Sequence, residues 1–438
     1  MPEPGVEPPQ QVRARMESEE YSTARVPPDR SVAWWRIAVI NVLFSFSLPS
    51  LIAGMDLAHG TTAPRFVTGI LAGSAILTAI SLFTSVVGSR SRLSSYLLAR
   101  LAFGTRGSML LNLVFAVSLV GWFGVNINLF GQALARLLPA LTGYRGPEWP
   151  IEIGAGVLIT GTTLIGLKAI NRLSNVIVPI LIAVCGLLLV RALGHNTIGE
   201  VLARAPATGL SFGDTVSSVV GGVIVGAVIM PDTCRFIGPV RGAVWTSVLT
   251  YLVTNTAVML IGGLAALALD RTDMLDLMLA LNLGAAAFAI VIGSSWLLNA
   301  LNLYSASLSI GAALPRLSRS TATIACGLIG TAAAFLQILD HFLTFLFYLS
   351  IVFVPVASVI VIDALLVRRR DYFGGEEPAP RPLEPAALLA WAAGAVFAVL
   401  GSMGLIRLSG IAALDAMIIS GLIYLLHWRM RPTPVVVS

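Results

Sequence analysis

The chain has 438 residues, of which 56% are hydrophobic and only 11% charged. Soluble domains carry roughly 25% charged residues, so this composition excludes an ordinary soluble fold. Lys and Arg outnumber Asp and Glu by 28 to 22; in so apolar a chain that excess orients the protein in a bilayer and does not point to nucleic acid.

Residues 1–30 are rich in Pro, Glu and Arg and lack an apolar stretch. They read as a disordered cytoplasmic tail and not as a signal peptide. From Trp35 to His427 apolar runs of about 20 residues recur, each long enough to cross a hydrocarbon core of about 30 Å as a helix. A helix satisfies its own backbone hydrogen bonds, which lipid demands. The short alternating strands of a membrane β-barrel are missing from the pattern. The predicted spans lie near 37–57, 66–88, 109–137, 151–167, 173–194, 211–231, 243–268, 284–310, 321–339, 342–367, 386–406 and 411–427. Two joins are tight, Lys168 to Arg172 and Asp340 to Phe342. Residues 431–438 form a short C-terminal tail.

The basic residues choose a side. With about twelve spans, 21 of the 28 Lys and Arg fall on the side of the termini. The positive-inside rule then places both termini in the cytoplasm and the chain, multi-pass, in the cytoplasmic (inner) membrane.

Two spans show breaks at matching places. Span 1 contains Phe44-Ser45-Phe46-Ser47-Leu48-Pro49-Ser50, and Pro49 there is expected to remove a backbone donor at mid-span. Span 6 carries Gly221-Gly222 and Gly226. Broken helices mark substrate sites in transporters, although Gly and Pro also serve ordinary close packing in membranes. The two spans are five apart, as the first helices of two inverted repeats would be.

Trp prefers the membrane interface, yet Trp122 sits near the middle of span 3, with Asn126 one turn on along the same face. A ring and an amide together suit a flat, hydrogen-bonding ligand; a packed Trp beside an interhelical Asn would read the same. Span 8 carries Ser294, Ser295, Asn299 and Asn302, which are costly in lipid unless they face a cavity or a partner helix. Glu152, Asp232, Asp363 and Asp415 fall near span ends, so no proton relay is evident. His59, His195, His341 and His427 lie in loops or at ends, and Cys185, Cys234 and Cys326 have no metal-ligand spacing. Neither a resident metal, a cofactor nor an enzymatic centre is expected. No ATP-binding motif is present, and no ATPase partner is expected; the partners implied are the lipid bilayer and a small molecule.

Four blocks carry a resemblance: Tyr96 to Val125 with Gly121-Trp122-Phe123-Gly124, Pro231-Asp232-Thr233-Cys234-Arg235-Phe236, Trp296 to Tyr304, and Val354-Pro355 to Arg368-Arg369-Arg370 with Tyr372. Together they resemble the nucleobase–cation symporter-1 family, its cytosine permease branch above all, over about residues 30 to 430. The resemblance implies an all-α polytopic membrane protein of LeuT type, a five-plus-five inverted repeat with two extra helices. Within a transporter domain at 31–430, repeat 1 covers about 37–194, repeat 2 about 211–367, and the extra helices 386–427. It implies import of a nucleobase such as cytosine, or a related nitrogen heterocycle, by alternating access. A proton-coupled or passive carrier of hydroxymethylpyrimidine, hydantoin or allantoin is the alternative.

Its site would lie between spans 1, 3, 6 and 8. Trp122 matches the family's stacking tryptophan, and Asn126 stands one turn from it. Gly222 and Val223 occupy the span 6 position where the family carries an aromatic. Ser294, Asn299 and Asn302 are the span 8 candidates. For a coupling cation, Ser47 and Ser294 are the candidates, partly through backbone carbonyls. Leu297 and Leu298 stand where hydroxyls would help hold sodium, so sodium coupling is not expected, and a proton or no ion at all remains open.

Overall fold

The computed structural model describes residues 25–143, 146–165, 167–194, 198–203, 209–284, 291–314, 316–374, 381–406 and 408–430. Most of the expected N-terminal tail, the tail at 431–438, His195 and the first part of span 8 lie outside the described residues. Nearly everything described is helical; the one β-bridge among these residues joins Val32 to Ile237. Among the described residues, eight helices are long and apolar enough to cross a membrane by length and composition. Span 1 falls short of that measure because it is split in two.

Span 1 consists of Trp34–Val42 and Leu48–Gly60. Between them Ser47 is extended, at φ −143° and ψ 154°, and its Oγ accepts a hydrogen bond from Ser50 N at 3.3 Å. This is an N-cap, which Ser favours because its side chain satisfies a free helix N–H. Pro49 therefore sits in the first turn of the second half-helix, where its missing N–H costs nothing. The expectation that Pro49 interrupts a running helix is corrected: the helix has ended before it.

Span 2 is Ala63–Ser91. The next helix is assigned as Ser95–Thr142, but Gly104 inside it has φ +75°. Only glycine reaches that region cheaply, so Ser95–Phe103 is a separate segment and span 3 proper follows Gly104. Asp232 fixes the start of that segment: its carboxylate accepts from Ser95 N at 2.7 Å and Ser95 Oγ at 2.8 Å. A carboxylate is well placed at a helix N-terminus, where the free N–H groups point.

Span 5 is helical over Leu167–Leu193, so Lys168 and Arg172 of the expected join both lie within helix. Span 6, Phe212–Val228, is interrupted at Val223 (φ −137°, ψ 15°) and followed by the short helix Pro231–Cys234. Span 7, Val240–Leu269, contains a π-helical stretch, Val248–Asn255. Span 8 is described from a π turn, Val291–Ser295, into Trp296–Ala313. Spans 9 and 10, Arg319–Leu336 and Ile338–Val367, join at Gln337 with φ +50°. Spans 11 and 12 are Pro385–Ser402 and Ala412–Met430.

Two glycines show how tightly the broken spans are held. A Cβ on Gly54 would stand 2.1 Å from the Met259 carbonyl oxygen of span 7. One on Gly221 would stand 1.6 Å from the Leu346 carbonyl oxygen of span 10. Small residues let helix backbones approach in lipid, where packing rather than hydrophobicity drives association. Span 1 is thereby seated on span 7, and span 6 on span 10, so the two interruptions face a common interior.

Candidate functional site

Where the breaks of spans 1 and 6 meet spans 3, 7, 8 and 10 there is a cavity. Span 1 lines it with Phe44, Ser47, Pro49, Ser50 and Ala53, and span 3 with Leu119 and Trp122. Span 6 contributes Gly222, Val223, Val225, Gly226 and Ile229; span 7 contributes Asn255 and Met259. Leu298 and Asn302 of span 8 and Phe342 and Leu346 of span 10 complete it. Every described lining residue is uncharged. A charge entering such a site would lose its hydration with no partner to replace it, at a cost of several kcal/mol. A neutral ligand with a few hydrogen-bonding groups suits it.

Trp122 is buried at the cavity wall. Two T-shaped contacts from span 10 hold its ring: Phe345 at 5.4 Å between centroids and Phe342 at 6.0 Å. Edge-to-face packing of this kind fixes a ring's orientation and adds about 0.5–1.5 kcal/mol. The indole is thus set in place before any ligand arrives. No aromatic faces it from span 6, where Gly222 and Val223 stand; Phe44 and Phe342 supply the other rings.

The expected site residues divide. Ser47, Trp122, Gly222, Val223 and Asn302 line the cavity. Asn126, Ser294 and Asn299 are not among its lining residues, and all three are buried. The Asn126 amide folds back on its own helix, Nδ2 donating to Trp122 O at 2.8 Å, and its Oδ1 has no partner among the described residues. Asn299 is fully buried, with neither amide atom partnered among the described residues. Ser47 spends its hydroxyl on Ser50, by the N-cap and by a 3.0 Å contact between the two Oγ atoms. At the positions read as poor for sodium, Leu297 is buried away from the cavity and Leu298 is on its wall.

The sequence reading missed Phe44, Asn255, Phe342 and Leu346. Asn255 carried a usable signal, since an amide within an apolar run is as anomalous in span 7 as in span 8. Phe342 carried none, because an apolar residue beginning an apolar span is the commonest case of all.

Set beside solved structures, this fold resembles Mhp1, a nucleobase-cation-symport-1 family transporter held closed with bromovinylhydantoin bound. The TM-score is 0.78 at 20% identity, covering 93% of this chain and 94% of that one. The likeness is one of fold, and it defines the chain as a polytopic, all-α membrane protein of LeuT type. The family model described as "Permease for cytosine/purines, uracil, thiamine, allantoin" matches residues 27–423, and the chain belongs to that family. Among curated relatives, the cytosine permease of Escherichia coli (strain K12) is 28% identical over 352 residues, 80% of this chain and 82% of the relative. The hydantoin permease of Microbacterium maritypicum is 24% identical over 367 residues, 78% of this chain and 74% of that one. These relatives are permeases and not enzymes, and the chain is a permease of the same family.

Proposed function

We propose that this permease imports a neutral nucleobase, cytosine or a ring of similar size, by alternating access around the cavity described above. The observation that carries the proposal is the cavity wall itself: an uncharged space between two interrupted helices, with a prepositioned indole, Trp122, and an amide, Asn302. Trp122 stacks on the ring, and Asn302 reads its edge. Gly222 and Val223 leave the opposite side open enough for a substituent. Asn126, Asn299 and Ser294 act from behind the wall, holding it or meeting water. Five spans from 37 to 194 and five from 211 to 367 form the two repeats that rock against each other, spans 11 and 12 lie outside them, and both termini lie in the cytoplasm.

Transport does not depend on a sodium gradient. Sodium favours oxygen ligands, and Leu297 and Leu298 offer only backbone carbonyls, which leaves Ser47 and Ser294 as side-chain candidates. A proton or no coupling ion at all takes its place. The test is a thermal-shift screen of the purified protein against cytosine, other nucleobases, hydantoins and allantoin, with and without sodium. Binding to the folded state raises the midpoint by mass action. The proposal expects a nucleobase to give the largest shift, unaltered by sodium. A shift with hydantoins or allantoin alone would replace the substrate, and a shift that needs sodium would replace the coupling.

A further inference from the structure

We infer that Asn255 of span 7 is a specificity-determining residue of this site, one that demands an N–H donor from the ligand, and that Ser74 of span 2 is its positioning residue. The inference rests on the permease reading above. Asn255 is 1% exposed, and it lines the cavity at the last position of the π-helical stretch Val248–Asn255. Irregular turns of this kind recur at functional positions in helices.

The orientation of its amide follows from its neighbours. Nδ2 donates to Ser74 Oγ at 3.1 Å, and Met259 Sδ lies 3.6 Å away. A hydroxyl could face either end of an amide, but a thioether sulfur can only accept. The NH2 end therefore faces Ser74 and Met259, and the carbonyl oxygen is turned away from them. That Oδ1 accepts no hydrogen bond from any of the described residues. In an uncharged and largely apolar wall it is an acceptor awaiting a donor, and an amide left unpaired there penalises any ligand that fails to supply one.

A second atom on the same face points the same way. Tyr251, four residues earlier, is fully buried with its hydroxyl unpartnered among the described residues. That hydroxyl is 3.1 Å from where a Cβ on Gly226 would stand, and Phe44 Cγ is 3.4 Å from the same point. Gly226 and Phe44 are both cavity-lining. Span 7 thus brings an acceptor to the cavity and sets an unused hydroxyl beside two residues of its wall; the acceptor suits a neutral heterocycle with a ring N–H.

The experiment measures the binding of cytosine and hydantoin, and of each with its ring nitrogens methylated in turn, to purified wild type, Asn255→Ala and Ser74→Ala. The wild type should prefer the free N–H over the N-methyl compound at one ring position by about tenfold or more, the value of a hydrogen bond to a buried acceptor. Asn255→Ala removes the acceptor and makes room for the methyl, so the preference at that position should collapse toward unity. Ser74→Ala should weaken the preference partially while leaving a single elution peak. If Asn255→Ala fails to elute as one species, Ser74→Ala carries the same ratio test. A preference that survives both variants, or affinities that fall together with the ratio unchanged, would overturn the inference and leave the permease reading intact. Absence of binding by any of these rings to the wild type would overturn both.

Discussion

At the end of span 10, Asp363 is fully buried and every partner it needs is present. Arg368 donates to it from Nε at 2.7 Å and from Nη2 at 2.6 Å, Tyr424 of span 12 donates at 2.8 Å, and the Tyr372 hydroxyl donates as well. Arg368 Nη2 also reaches the Ala102 carbonyl at 3.2 Å, beside the kink at Gly104. Inside spans 3, 7 and 8 the pattern is reversed. Both amide atoms of Asn299, the Asn126 Oδ1, the Ser295 Oγ and the Tyr251 hydroxyl are buried with no partner among the described residues. An unpaired buried polar group costs about 1–3 kcal/mol, so polarity at these two places does different work. The Asp363 cluster is a closed network that ties span 10 to span 12 and to the segment before span 3. The unpartnered polar groups of spans 3, 7 and 8 are open valences among the described residues.

The contrast breaks most strongly at Arg368. Arg368→Met strands the Asp363 carboxylate, and losing one partner of a buried pair costs roughly 3–5 kcal/mol. Folded yield, read from the monodisperse peak in size-exclusion chromatography, should fall sharply. Adding Asp363→Asn should restore much of it, because the stranded charge is then gone. Unchanged yield with Arg368→Met would mean that the network does not hold the fold.

Trp122→Ala comes next and acts on the other side of the comparison. It should weaken ligand binding by about 1–3 kcal/mol, the scale of base–aromatic stacking, with yield near that of the wild type. A well-expressed variant that binds as tightly as the wild type would remove Trp122 from the site.

The smallest change in stability is expected at Asn299→Leu. The amide forms no hydrogen bond with the described residues, so an apolar residue of similar size should leave the melting midpoint level or slightly raised, within about 1–2 kcal/mol. Uptake should nonetheless fall. A marked drop in midpoint would show that Asn299 already has a structural partner and does not belong with the open valences.

Much of this arrangement was legible in the sequence. Apolar run length located the spans, and the serines around Pro49 marked the first break. Trp122 and Asn302 were anomalous where they stand, and both line the cavity. Helix phase was not legible. In span 8 a π turn, Val291–Ser295, precedes the helix that carries Asn299 and Asn302, and periodicity alone does not tell which of the two amides faces the cavity. Asn126 shares a face with Trp122 along span 3, yet its bond to the Trp122 carbonyl keeps its Nδ2 on the helix backbone. The span 10 contribution was hidden for a different reason. Phe342, Phe345 and Leu346 belong to an unremarkable apolar run, and only the packing of span 10 on Gly221 brings them to Trp122.

The most direct measurement of the central claim is uptake of radiolabelled cytosine into proteoliposomes holding wild type or Trp122→Ala, with sodium and proton gradients imposed separately. The account predicts saturable uptake by the wild type, competed by other neutral heterocycles, little changed by an inward sodium gradient and strongly reduced in Trp122→Ala. Uptake that Trp122→Ala leaves intact, or that appears only under an inward sodium gradient, would contradict it.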